Sequence, residues 1–182
     1  EEIGVDVKKF GNIEAMPGDT IRYDFSDIRN ESNVPLDNFY WRDILPTDAV
    51  TLRIISTGTW NEELIYTIYY KTNLVSEERA LAERLSTSTN NTIDCSASAV
   101  KLKAGEVITE IRFDFGTVQP GFEPLTNPYI TCLVHPDLPH EYRFKNCTDV
   151  GGERGDEWVI DKDCWVTVIY AVPKGKLPKT GN

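Results

Sequence analysis

The residues of this 182-residue chain whose chemistry needs placing first are four cysteines, two histidines and 29 acidic side chains. Cys95, Cys132, Cys147 and Cys164 form an even set in the second half of the chain. In an oxidising compartment they can pair in three alternative ways, or they can remain as four buried thiols. His135 and His140 stand in His135-Pro136-Asp137-Leu138-Pro139-His140, where the prolines enforce a loop and the spacing is not that of zinc ligands. Asp161 with Asp163, and Asp24 with Asp27, lack the dense oxygen-ligand spacing of a calcium loop, so no metal and no other cofactor is expected. No Gly-x-Ser-x-Gly elbow, phosphate loop or dinucleotide fingerprint occurs. Enzymatic chemistry would therefore fall to paired carboxylates, which in a glycoside hydrolase face each other at about 5–9.5 Å across a cleft. Trp60, in Gly58-Thr59-Trp60-Asn61, is the aromatic best placed to meet a ligand from a turn.

The elements that must position these residues are mainly strands. Ile3, Val5, Val7 and Lys9 alternate with polar neighbours, as do residues 20–26 after the Met16-Pro17-Gly18-Asp19 turn. Residues 39–45, 50–56, 64–70, 107–115, 129–134, 141–144 and 158–172 read as further strands, and Asp149 to Asp156 as a glycine-rich turn. One segment has helical spacing. Ser76 can cap a helix over residues 77–85, with Glu77 and Glu78 in its first turn and Leu81 and Leu85 on one face. About nine to eleven short strands predict an all-β chain, an immunoglobulin-like antiparallel β-sandwich with one short helix. The loop region 73–99 is the one candidate break, either joining two sandwich subdomains or looping out of one. The expected organisation is a β-sandwich module over residues 1–172, followed by a linker and tail over 173–182.

A formal charge of −10 disfavours nucleic acid and anionic lipid as partners, because both bind through lysine and arginine. No apolar run approaches the roughly 20 residues of a membrane helix. At the other end of the chain, Leu177-Pro178-Lys179-Thr180-Gly181 matches the LPXTG signal of sortase substrates at every fixed position. In that chemistry a sortase thiolate attacks the threonine carbonyl, and a cell-wall amine then releases the acyl-enzyme. The motif makes the chain a substrate of catalysis rather than a catalyst, with sortase and peptidoglycan as its partners and the cell wall outside the membrane as its location. Because Gly181 and Asn182 follow the scissile position, the chain is expected to be uncut by sortase. The hydrophobic stretch and basic residues of a full signal are expected beyond it.

Three segments, Asp6-Val7-Lys8-Lys9-Phe10, Pro17-Gly18-Asp19-Thr20-Ile21-Arg22-Tyr23 and Asn38-Phe39-Tyr40-Trp41-Arg42-Asp43-Ile44-Leu45-Pro46, follow one another in a recognisable order. In these the chain resembles the immunoglobulin-like modules of Gram-positive LPXTG adhesins and pilins, well over about the first 70 residues and loosely beyond. The resemblance implies an internal isopeptide bond, in which a lysine of the first strand joins a late asparagine with the help of a nearby acid. Burial would favour the neutral amine, and a protonated acid would polarise the amide carbonyl. Lys9 fits by parity, Asp43 lies in the Asp-x-Leu-Pro motif, and Asn146 is the late amide; Asp114 is a second acid but shares the polar parity of Glu110 and Arg112. Among the cysteines, Cys147 and Cys164 flank the glycine-rich turn and make the preferred bridge, with Cys95 and Cys132 as the remaining pair. The functional expectation is a non-enzymatic surface module (adhesin, pilin-like subunit or stalk) with an unidentified host ligand. The alternatives are a wall-anchored carbohydrate-binding module, with an exposed aromatic platform, and a secreted glycoside hydrolase.

Overall fold

Period-two alternation governs the architecture. A computed structural model describes residues 1–172, and the 177–181 motif lies outside the described residues. The strands begin with β1 (Val5–Phe10), β2 (Glu14–Ala15), β3 (Thr20–Asn30), β4 (Leu36–Ile44) and β5 (Val50–Ser56). They continue with β6 (Thr59–Trp60), β7 (Ile65–Thr72), β8 (Arg79–Ser86) and β9 (Thr92–Asp94). Helix α1 (Ala97–Val100) precedes β10 (Ile108–Val118), β11 (Pro124–Thr126), β12 (Tyr129–Val134), β13 (Arg143–Arg154) and β14 (Glu157–Ile169).

Two large sheets form an all-β, immunoglobulin-like sandwich. One has the order β1-β3-β12-β5-β9, and the other β2-β14-β13-β4-β10-β7-β8; β11 and β6 make a small ribbon. All pairings are antiparallel except β14 with β2. Each large sheet draws strands from both sides of residues 73–99, with β5 beside β12 in one and β7 beside β10 in the other. The inner faces bury Tyr23, Phe25, Trp41 and Phe113, and the Trp41 ring lies 4.5 Å from Phe25 and 4.4 Å from Phe113. Such close aromatic pairs add about 0.5–1.5 kcal/mol each beyond their area burial.

Backbone kinks inside the strands reset the alternation, and two of them lie in β3 and β4. Asp27 and Asn38 take positive φ, 58° and 50°, a region that short polar side chains tolerate. In β4 the inward set is Leu36 before the kink and Phe39, Trp41 and Asp43 after it. Without the kink at Asn38, strict alternation from Leu36 would turn Tyr40 and Arg42 inward and Asp43 outward.

The helix expected over residues 77–85 is instead strand β8, antiparallel to β7 at the edge of the larger sheet. Leu81 and Leu85 both pack against the core, as the helix reading also required, although register shifts and the positive φ of Arg84 (56°) interrupt the strand alternation between them. Pairing with β7, whose edge would otherwise be bare, overrides the local propensity. The one helix among the described residues is α1, capped by the Ser96 hydroxyl, which accepts the Ala99 N–H. The expected glycine-rich turn is also shorter than its sequence suggested. β13 runs on through Gly151 and Gly152, and the reversal is Gly155 and Asp156 alone, with φ of 61° at Gly155. Gly151 is a strand residue paired on both sides, and its lack of a side chain makes room for the Tyr40 ring, which a Cβ there would meet at 2.6 Å.

Beside β8, the buried Glu106 carboxylate accepts from the Lys103 N–H (3.0 Å), the Thr72 hydroxyl (2.7 Å) and the Arg79 guanidinium (2.5 Å). These donors hold its pKa down to about 2 from an ordinary 4.5, with the backbone donor contributing most. A depressed carboxyl stabilises the fold fully above its unfolded pKa and loses that contribution as pH falls through the folded value. Glu106→Gln is therefore expected to be less stable than the wild type at neutral pH. In urea titrations the gap should close between pH 4.5 and about 2; a gap constant over that range would refute the assignment.

Candidate functional site: a buried lysine, aspartate and asparagine

Lys9, Asp43 and Asn146 come from three strands and two sheets. β1 buries Val7 and Lys9 on one face, as the alternation predicts. The Lys9 side chain crosses the sandwich between two rings of β3, its Nζ 4.4 Å from the Tyr23 centroid and 4.1 Å from that of Phe25. It reaches Asp43 on β4, and Nζ lies 2.7 Å from Oδ1 with both side chains 0% exposed. Asn146 sits on β13, the neighbour of β4, where the alternating inward positions are Phe144, Asn146, Thr148 and Val150. Its Nδ2 donates to Asp43 Oδ2 at 2.9 Å and to the Ile44 carbonyl at 2.7 Å.

Both ends of the pair shift toward their uncharged forms. Burial drives the Lys9 amine below the ordinary lysine range, and the Asp43 charge opposes that only in part. Burial likewise raises the Asp43 carboxyl, against the opposing effects of Lys9 and Asn146. Withdrawing charges from water carries a desolvation penalty that one close contact need not repay, and neutralisation is the usual escape. The cluster thus sets an amine, a carboxyl group and a primary amide together in a dry site, where burial favours the uncharged forms of the first two.

The amide orientation corrects one expectation. Asp43 faces the amide nitrogen of Asn146 and not its carbonyl oxygen, because a flipped amide would set Oδ1 against the Ile44 carbonyl. Oδ1 is buried and accepts no hydrogen bond. Asp43 is therefore placed to pass a proton between Nζ and Nδ2, a different task from polarising the carbonyl. Asp114 lies on the outer face, 3.8 Å from Arg112, away from this cluster.

The cysteines divide. Cys147 and Cys164 are directly opposite in the β13–β14 ladder and form a disulfide, with Cα atoms 4.1 Å apart. The second expected bridge is absent, since Cys95 and Cys132 are both free and buried. Cys132 faces the core from β12, whereas Cys95 follows β9, its N–H bonded to the Arg53 carbonyl. Burial pushes the Cys95 thiol up to about 12 and Cys132 higher still, so both stay protonated.

Trp60 is also corrected as a ligand contact. It is only 3% exposed, stacks on Phe122 at 5.1 Å, and donates its indole N–H to the Thr57 carbonyl. The turn folds the ring inward because β6 pairs with β11 over it. The exposed tryptophan is Trp158, 48% exposed on the outer face of β14 and 6.4 Å from the Tyr40 ring. Its outward parity in the 158–172 segment was the available signal.

A shallow cleft of ≈ 420 Å³ runs between β1 and β14, lined in part by Asp6, Lys8 and Asp163. The carboxylates of β14 there are committed to backbone: Asp161 accepts the Val7 N–H at 3.1 Å and Asp163 the Lys9 N–H at 2.8 Å. They cap the free edge of β1. His135 bonds the Thr51 hydroxyl and His140 accepts the Ala171 N–H. Among the described residues no group of three His, Cys, Asp or Glu side chains could hold a metal ion.

No protein-family model matches the chain, and no curated protein matches it either. Among solved structures it is similar to the sporulation control protein Spo0M from Bacillus subtilis, at 14% identity and TM-score 0.40 over 93% of this chain and 51% of that one. It thus spans about half of Spo0M. It is similar to AvmM, which catalyses macrocyclization in alchivemycin A biosynthesis, at 9% identity and TM-score 0.39 over 93% and 90% of the two chains. It is also similar to the collagen-binding domain of a Staphylococcus aureus adhesin, at 12% identity and TM-score 0.38 over 91% and 98%.

Proposed function

We propose that this chain is a non-enzymatic surface-display module of a Gram-positive cell: an adhesin, pilin-like or stalk domain, extracellular and stapled by an amide between Lys9 and Asn146. In this reading sortase joins it to peptidoglycan at Thr180, through Leu177-Pro178-Lys179-Thr180-Gly181. The observation that carries the proposal is the fully buried Lys9–Asp43–Asn146 cluster. A buried lysine held by one acid that also holds an amide has no evident use in packing alone, since an apolar trio of similar volume would be as stable or more so.

The chemistry balances without an oxidant or cofactor. Neutral Lys9 Nζ attacks Cγ of Asn146, and the Cγ–Nδ2 bond breaks. Asp43 takes a proton from Nζ at Oδ1 and returns one to Nδ2 from Oδ2, so that the nitrogen leaves as ammonia. The product is a secondary amide linking β1 of one sheet to β13 of the other.

Mass spectrometry of the purified full chain tests both parts, before and after incubation with a sortase and a short glycine peptide. Before incubation the mass should be one ammonia and two hydrogens below that of the unmodified sequence. After it, Gly181 and Asn182 should be replaced by the glycine peptide. A chain that retains the ammonia sinks the staple, and a tail that does not exchange sinks the anchoring.

A further inference from the structure

The strands at the two ends of the fold are β1 and β14, and both are tied to β13 at consecutive residues. Asn146 faces Lys9 of β1 through Asp43. The next residue, Cys147, is bonded to Cys164 of β14. Side chains of adjacent strand residues point to opposite faces, so one tie lies inside the sandwich and the other on its outer face. Between them there is only the Asn146–Cys147 peptide unit.

We propose that the amide and the disulfide act in series as one covalent load line from Lys9 to Cys164, bypassing residues 10–145 and 148–163. The inference rests on the Lys9–Asn146 amide proposed above, whereas the disulfide is already present. Tension between the chain ends passes along β1 to Lys9, through its side chain to Asn146, across one peptide unit to Cys147, and through the sulfurs to Cys164. No strand ladder lies in that path. A ladder hydrogen bond is worth about 0.5–1.5 kcal/mol net and yields one at a time when a strand end is peeled. A covalent line does not.

The disulfide has a specific task in this line. β14 pairs along its length only with β13; on its other edge the only strand ladder is with the two residues of β2, beside isolated bonds to Asn12, Ile13 and the β1 backbone. Tension on its C-terminal end would peel it from β13 towards the Gly155–Asp156 turn. The bridge stops peeling at Cys164. It thereby keeps Asp161 and Asp163 seated on the Val7 and Lys9 N–H groups, so that the free edge of β1 stays covered. Both cysteines are half-buried on the outer face, within reach of a reductant. The redox state of this one bridge therefore sets how far the module extends under load.

Single-molecule pulling on the full chain, attached at its two ends, tests this on the same molecules before and after reductant. Oxidised chains should give no unfolding step. Reduction should add one step of about 55 Å, the 17-residue separation of the cysteines at roughly 3.5 Å per residue less their folded spacing. Cys147→Ser with Cys164→Ser should show the same step without reductant. If reduction adds no step, the disulfide is outside the load path and the inference fails while the amide stands. A step of about 450–500 Å in oxidised chains, the extended length from Lys9 to Asn146, would show the amide missing and overturn both.

Discussion

Chains carrying Asp43→Asn are expected to fold and yet to lose no ammonia, so that the variant keeps the full sequence mass apart from the two disulfide hydrogens. The substitution preserves size and leaves a side chain that still reaches Lys9 and Asn146. What it removes is a group able to take a proton at one oxygen and give one at the other. The contacts of 2.7 Å to Nζ and 2.9 Å to Nδ2 make Asp43 the one side chain seen to touch both reacting nitrogens. Removing such a general acid–base commonly slows a reaction by about 10²–10⁴-fold, which would leave the chain uncrosslinked for the life of a preparation. An Asp43→Asn chain that still sheds ammonia at the wild-type rate would show that burial and proximity alone drive the bond. Asp43→Ala is the poorer test, because it leaves the Lys9 amine in the core without a hydrogen-bond partner, at a cost of about 1–3 kcal/mol, and opens a void beside it.

Loss of the staple should also be felt in stability. A covalent link closing the long loop from Lys9 to Asn146 is worth about 5 kcal/mol by the chain-entropy rule. In a chain of this size that is a fall in Tm of about 10–20 °C. Asn146→Ala and Lys9→Met remove opposite partners of the bond, and both should show this fall in calorimetry under conditions that keep the disulfide. Both should also migrate more slowly than the wild type in denaturing gels, because their unfolded chains are no longer looped. If the two variants melt within a few degrees of the wild type, the amide does not form in the native chain. Reducing the Cys147–Cys164 bridge should cost less, about 3 kcal/mol, since its loop is far shorter.

Much of the sandwich was legible in the sequence because a half-buried strand writes its two faces into alternate residues. Val7 and Lys9, Tyr23 and Phe25, and Phe113 and Phe115 all face inward as their parity requires. The misreadings have local causes. Leu81 and Leu85 had helical spacing, but pairing with the bare edge of β7 made the segment an irregular strand that still packs both on the core. Gly151 and Gly152 read as a turn, although they are small because Tyr40 and Leu36 press against them. Trp60 read as a ligand contact because Gly58-Thr59-Trp60-Asn61 looks like a turn, whereas the pairing of β6 with β11 turns it onto Phe122.

The site divides in the same way. The sequence alone determined the all-β class, the inward parity of Lys9, an acid in the Asp-x-Leu-Pro motif, a late asparagine beside a cysteine, and the pentapeptide at residues 177–181. Each is a property of residue type and short spacing. Only the tertiary structure decided that these residues meet. Lys9 and Asn146 stand 137 positions apart by their numbering, and the crossing of β1 over β13 brings them together. The kink at Asn38 turns Asp43 inward. The Ile44 carbonyl fixes which end of the amide meets the acid, and the fold buries Cys95 and Cys132 as separate thiols. Parity tells a residue which side of its own strand it occupies; what lies opposite depends on sheet order, which is set by long-range packing that no local pattern encodes.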